Sequence, residues 1–138
     1  MKQILLDTNF LMIPGTLKVD IFSEIDRIIH EPYSIEVIDT TLEELEKIIK
    51  EKKGRYKIAA KLGLALVRHK GLKIIPTEKQ KSLNMKINSK DNAADDIIVN
   101  LSDKNTVVAT QDAQLKKRLA EKGAKLIILR GKKHLELV

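Results

Sequence analysis

Short runs of branched apolar residues alternate along this chain with stretches whose apolar residues recur at helical spacing. Lys2 to Leu6, Tyr33 to Ile38, Leu72 to Ile75, Thr106 to Ala109 and Leu126 to Leu129 have the character of buried strands, and Leu135 to Val138 that of a final edge strand. Between the first two, Val19 to His30 carries Ile21, Phe22, Ile25, Ile28 and Ile29 on one helical face and is stopped by Pro32. Leu42, Leu45, Ile48 and Ile49 form the stripe of another helix, with Asp39, Thr40 and Thr41 as candidate caps. After Gly54, Tyr56 to His69, Ala93 to Leu101 and Ala113 to Lys122 continue the alternation. Pro14-Gly15 is a turn signal, and the polar, lysine-rich stretch from Thr77 to Lys90 suits a surface loop. The pattern predicts a three-layer α/β/α sandwich with a mostly parallel central sheet and right-handed crossovers. No repeat or linker divides it, so a single domain over residues 1–138 is expected.

In such sheets ligands sit outside the carboxyl ends of the strands, which makes the residues following each strand the informative ones. Asp7 directly follows the first strand, Glu43, Glu44 and Glu46 lie in the first turns after the second, Asp95 and Asp96 open the helix after the lysine-rich stretch, and Asp112 stands just beyond Ala109. Each has an ordinary explanation alone. Asp7 and Asp112 could cap helices, Glu43 and Glu44 suit a helix N-terminus and could pair with Lys47, and Asn92 with Asp95 resembles a capping box. The functional case rests on the set. Carboxylates converging on one rim repel one another unless a cation shares the site, and oxygen-only ligands favour hard ions such as Mg²⁺ or Mn²⁺. Helical phase selects among neighbours. At ~100° per residue, Glu44 and Glu46 flank the apolar stripe while Glu43 points away, and Asp95 lies beside the stripe of Ala94, Ile97, Ile98 and Leu101 with Asp96 further round. Glu44 and Asp95 are preferred, with Asp96 a second candidate.

Composition narrows the chemistry. There are no cysteines, so thiol nucleophiles, disulfides and thiolate zinc sites are excluded. The 26 Lys+Arg against 19 Asp+Glu leave a formal charge of +7, which suits a polyanionic partner such as nucleic acid and equally a merely soluble surface. Phe10, Phe22, Tyr33 and Tyr56 are the whole aromatic set, which makes the chain a poor candidate for holding single strands by base stacking, so nucleic-acid contacts should rest mainly on phosphates. Lys116, Lys117 and Arg118 follow Asp112, and Lys79, Lys81, Lys86 and Lys90 precede Asp95; either group could supply such contacts, Lys90 standing nearest the acids. His30, His69 and His134 show no metal-ligand spacing. No apolar run approaches the ~18 residues of a membrane span and the N-terminus lacks a signal-peptide pattern, so a cytoplasmic protein without membrane association is expected.

These residues carry a resemblance over nearly the whole chain. Ile4-Leu5-Leu6-Asp7-Thr8-Asn9, Leu42-Glu43-Glu44-Leu45, Ala93-Ala94-Asp95-Asp96-Ile97-Ile98 and Val108-Ala109-Thr110-Gln111-Asp112 resemble the four motifs of the PIN-domain ribonucleases. The paired aspartates, the helix Leu115-Lys116-Lys117-Arg118-Leu119 and the closing Ile127-Ile128-Leu129-Arg130-Gly131-Lys132 are similar to the branch that processes ribosomal RNA, although toxins of the VapC type share the four acids. The eukaryotic members of that branch often add an N-terminal extension and a knuckle of cysteines, which this sequence lacks, pointing to a compact prokaryotic or archaeal form. The resemblance implies endonucleolytic cleavage of RNA leaving a 5′-phosphate, with Asp7, Glu44, Asp95 and Asp112 holding one or two Mg²⁺ or Mn²⁺ ions. It also implies that Asn9 and Thr110 orient the carboxylates. Implied partners are RNA, a pre-ribosomal particle or an antitoxin protein, and a second copy of the chain, since PIN domains often pair.

Three other readings share parts of the pattern. A haloacid-dehalogenase-like phosphotransferase normally has an aspartate two residues after its nucleophile, where this chain has Asn9. A receiver domain needs an aspartate at the end of its third strand, where this chain has Pro76. A non-catalytic RNA-binding PIN-like scaffold has no need of a complete acid set.

Overall fold

The computed structural model describes residues 1–77 and 93–138. Six strands, β1 (Lys2–Leu6), β2 (Tyr33–Ile38), β3 (Lys73–Ile75), β4 (Thr106–Ala109), β5 (Lys125–Arg130) and β6 (His134–Leu137), form one sheet in the order β3-β2-β1-β4-β5-β6. Every pairing is parallel except the last, in which β6 runs antiparallel to β5. The described helices are α1 (Thr8–Leu11), α2 (Ile13–Leu17), α3 (Ile21–Ile28), α4 (Asp39–Glu51), α5 (Arg55–His69), α6 (Ala93–Leu101) and α7 (Ala113–Glu121).

Strand alternation sends successive side chains into two separate cores. Ile4 and Leu6, Val107 and Ala109, and Ile127 pack with Phe10, Ile25, Leu45 and Ala60 from α1, α3, α4 and α5. Leu5, Val108, Leu126 and Ile128 turn the other way, onto Ile97 and Ile98 of α6 and Leu115 and Leu119 of α7. The sheet is therefore the middle of three layers, as the sequence predicts. With both faces covered, its inner strands can be apolar on both sides. β1 lies centrally with β2 on one side and β4 on the other, so the strand order reverses around it. That reversal opens a crevice at the carboxyl ends of β1 and β4.

Several local expectations change. Pro14 and Gly15 do not form a free turn but lie within α2, where proline occupies the first turn and its missing N–H breaks no helical bond. α3 starts later than the periodicity suggests, at Ile21, because Asp20 caps it by accepting from the Ser23 N–H at 3.1 Å. Asp39 does not cap α4; it is the first helical residue, and its carboxylate accepts from the backbone N–H of Thr77 at 3.1 Å and from the Thr77 hydroxyl. Thr77 is accordingly buried rather than the start of a surface loop. The remainder of that expected loop, with Lys79, Lys81, Lys86 and Lys90, and the capping role of Asn92 lie outside the described residues.

Two glycines set the close approach of α1 and α2 to α5. A Cβ on Gly15 would stand 2.5 Å from the Ala59 Cα, and one on Gly63 would stand 2.7 Å from the Leu11 carbonyl oxygen. Alanine in place of a helical glycine ordinarily gains about 1 kcal/mol of propensity. At Gly15 the obstruction is backbone, which cannot swing aside, and overpacking of about 1–3 kcal/mol outweighs the gain. Gly15→Ala is expected to lower the urea midpoint; an unchanged or raised midpoint would show that the two helices separate freely.

Candidate active site

Asp7 leaves the end of β1 with extended backbone and caps α1. Its Oδ1 accepts the Phe10 N–H at 2.7 Å, and its Oδ2 accepts the Thr110 hydroxyl at 2.5 Å. Thr110 follows β4, is fully buried, and its oxygen also accepts the Asp112 N–H at 3.1 Å. One hydroxyl thus fixes the acid after β1 to the backbone of the acid after β4. Asp112 caps α7 by accepting the Leu115 N–H at 2.9 Å. The capping and site readings of Asp7 and Asp112 are compatible, because a carboxylate oxygen that accepts one hydrogen bond still has a second lone pair.

Glu44 lies in the second turn of α4, half-buried, with its Oε1 accepting the Thr8 hydroxyl at 2.7 Å. Glu43 is exposed, as helical phase predicts; Glu46, which the same phase places beside the stripe with Glu44, is exposed as well and does not line the cavity. Asp95, in the first turn of α6, is also half-buried. Asp7, Glu44, Asp95 and Asp112 all line one cavity of about 200 Å³, together with Thr8, Asn9, Ile48, Ala94 and Ile98. The four acids singled out from sequence are thus brought together at the rim where β1 and β4 end.

Their electrostatics show the strain of that gathering. Asp7 is pushed up to about 6, first by burial and then by the charges of Asp95 and Asp112, against the lowering effect of its two hydrogen bonds. Asp95 is likewise pushed up to about 6, by burial and by Asp112 and Glu44, with Arg118 acting in the opposite sense. Burial raises Glu44 as well, opposed by the Thr8 hydrogen bond and Lys47. Among the described residues, no three acidic or imidazole side chains already stand tightly enough around one point to hold an ion. The donor set nevertheless suits one: it is all oxygen, and burial and mutual repulsion push Asp7 and Asp95 up, which a bound cation would oppose.

Residues 4–132 match the PIN-like domain family. The chain belongs to that family. It is 30% identical over 141 residues to Ribonuclease VapC4 of Methanocaldococcus jannaschii, an alignment covering 99% of this chain and 97% of that protein. Its fold is shared with the PIN domain endonuclease Utp24, at a TM-score of 0.71 and 24% identity over 98% of this chain and 90% of the other. The phosphotransferase and receiver readings give way to this assignment.

Within this PIN-like domain three neighbouring residues stand differently from the sequence expectation. Asn9 lines the cavity but is exposed and makes no side-chain hydrogen bond to a carboxylate among the described residues; Thr8 takes that position, on Glu44. Nothing in the periodicity marks Thr8, whose partner lies 36 residues away. Asp96 turns from the cavity to an ion pair with Arg118 at 2.8 Å. Asp96 does not line the cavity as Asp95 does, and the pair ties the Arg118 guanidinium to α6. Lys117 is exposed and Lys116 partly so, both on α7, the helix that Asp112 caps; neither lines the cavity.

Proposed function

We propose that this protein is a metal-dependent endoribonuclease whose cleavage site is the cavity lined by Asp7, Glu44, Asp95 and Asp112. The observation that carries the reading is the convergence of these four carboxylates from four separate segments onto one rim, two of them pushed up to about 6. Membership of the PIN-like family and a relative named as a ribonuclease support RNA as the substrate. A hard divalent cation, Mg²⁺ or Mn²⁺, held by these oxygens would offset the negative charge developing on a phosphodiester and would lower the pKa of a bound water.

The chain's own residues provide the rest. The Phe10 N–H and the Thr110 hydroxyl hold Asp7 in one orientation, and Thr8 does the same for Glu44. Burial and the charges of Asp112 and Glu44 push Asp95 up to about 6, and a cation held here would favour its ionised form. Lys116 and Lys117, on the helix that Asp112 caps, are candidates for contacts to the RNA backbone. The similarity of 115–119 and 127–132 to the ribosomal-RNA branch favours a role in ribosomal RNA processing. The 30% identical relative favours a second reading, a VapC-type toxin held by an antitoxin; a small antitoxin gene beside this one would decide for it. Among the described residues no helix is long and apolar enough to cross a membrane.

The test is metal removal. Cleavage of a labelled RNA by the purified protein is expected to vanish in excess EDTA and to return with Mg²⁺ or Mn²⁺ but not with buffer alone. Cleavage that continues unchanged in EDTA overturns the proposal.

A further inference from the structure

The carboxylate cavity, at about 200 Å³, is smaller than the roughly 300–1,000 Å³ of sites that enclose an organic ligand. It has room for ions, water and a phosphodiester, so the bases flanking that phosphate must lie outside it. Asn9 and Ile48 line this cavity and also an adjoining groove of about 430 Å³, completed by Met12, Thr16, Lys52 and Tyr56. The groove is thus a continuation of the site between α1, α2, α4 and the start of α5.

Its chemistry suits one kind of occupant. Of the chain's four aromatic rings, Phe10 is fully buried and Phe22 and Tyr33 are partly covered, whereas Tyr56 is 53% exposed. The Arg55 guanidinium sits over the Tyr56 ring at 5.6 Å from its centroid, an arrangement that steadies the ring and keeps a cation beside it. Lys52 adds a second cation, and no acidic side chain lines the groove among the described residues. An exposed ring flanked by cations, opening directly onto a phosphodiester-sized cavity, matches a base on its backbone better than it matches an apolar protein segment.

We propose that this groove seats a nucleotide next to the scissile phosphate, its base stacked on Tyr56 and its backbone held by Lys52 and Arg55. The proposal rests on the nuclease reading and adds to it a single-stranded substrate with one unstacked base at a fixed place. A lone ring suffices here, because only one base has to be held for the neighbouring phosphate to be placed.

The test uses a single-stranded RNA with one cleavage position, the full chain and saturating Mg²⁺ or Mn²⁺. Tyr56→Ala is expected to raise KM about tenfold with kcat little changed, and Tyr56→Leu to do the same, whereas Tyr56→Phe and Tyr56→Trp retain the wild-type KM. Ile58→Ala, on the same helix but outside the groove and 65% exposed, is expected to leave both constants unchanged. An abasic nucleotide is then moved along the RNA. At one position beside the scissile phosphate it should raise the wild-type KM as much as Tyr56→Ala does, and should add nothing to the variant. An unchanged KM for Tyr56→Ala overturns the proposal, as does an abasic effect that multiplies with the variant's, the result expected if the groove serves a protein partner or only supports the fold. A wild-type protein that cleaves no RNA with either metal overturns the nuclease reading itself, whereas active wild type with an indifferent Tyr56 overturns only the subsite.

Discussion

Asp7→Asn is expected to abolish RNA cleavage while leaving the fold and RNA binding in place. The substitution keeps an oxygen to accept the Phe10 N–H, so the cap on α1 survives. What disappears is one negative charge of the four at the rim. If that charge contributes about 4 kcal/mol through the ion it helps to hold, kcat falls about 10³-fold. The asparagine Nδ2 cannot accept from the Thr110 hydroxyl as Asp7 Oδ2 does but can donate to its oxygen, whereas Asp7→Ala is a poorer test because it removes the cap and leaves Thr110 no polar group at residue 7. Asp96→Asn is the informative control. It breaks a half-exposed pair with Arg118 that contributes about 0–1 kcal/mol, so activity should stay within about fivefold of wild type. Single-turnover cleavage, with RNA binding measured separately in EDTA, checks both. Full activity in Asp7→Asn, or a loss in Asp96→Asn as deep as that in Asp95→Asn, would overturn the assignment of the acids.

The second large effect concerns stability without metal. Asp7 and Asp95 are raised from 3.8 to about 6 in the folded protein, so between these values the native state binds more protons than the unfolded chain. Stability must then fall as pH rises through this window. In EDTA, the unfolding free energy is expected to be about 1–2 kcal/mol lower at pH 7.5 than at pH 5. Glu24 works in the opposite sense. The Arg27 side chain and the Leu135 N–H lower it to about 2, so its contribution is complete above the usual glutamate range and is lost only as pH falls toward 2. Keeping the measurement at pH 5 and above separates the two. Asp95→Asn should raise apo stability at pH 7.5 by about 1 kcal/mol and flatten the slope. Urea unfolding at the two pH values provides the readout; wild-type stability that rises with pH across this window would contradict the cluster's electrostatics.

Much of the site was legible because two regularities coincide. A parallel sheet directs its strand ends to one rim, so Asp7 and Asp112 could be placed from strand boundaries alone. Helical phase then separated Glu44 from Glu43 and Asp95 from Asp96 without any knowledge of the partners. The failures have the opposite character, since each depends on a contact between distant segments. Thr8 rather than Asn9 meets Glu44 because of how α1 lies against α4, and Asp39 gives up its capping role to clamp Thr77, 38 residues away. Pro14-Gly15 carries a strong turn signal, yet packing of Gly15 against Ala59 makes a helix the better use of both residues. Tyr56 looked too isolated for a platform by composition; only its place beside the cavity gives one ring a purpose.

The central position of β1 also governs timing. Asp7 and Glu44 belong to the first 51 residues, but Asp95, Thr110 and Asp112 come from the far side of the sheet and reach Asp7 only when β4 pairs with β1, about a hundred residues apart in sequence. Synthesis runs from the N-terminus at about 5–20 residues per second, and long-range pairing of this kind is slow to close. A nascent chain that has already folded its first half therefore carries only half a cutting edge. The four candidate acids can therefore gather only after the chain has been made through Asp112, with β4 laid beside β1.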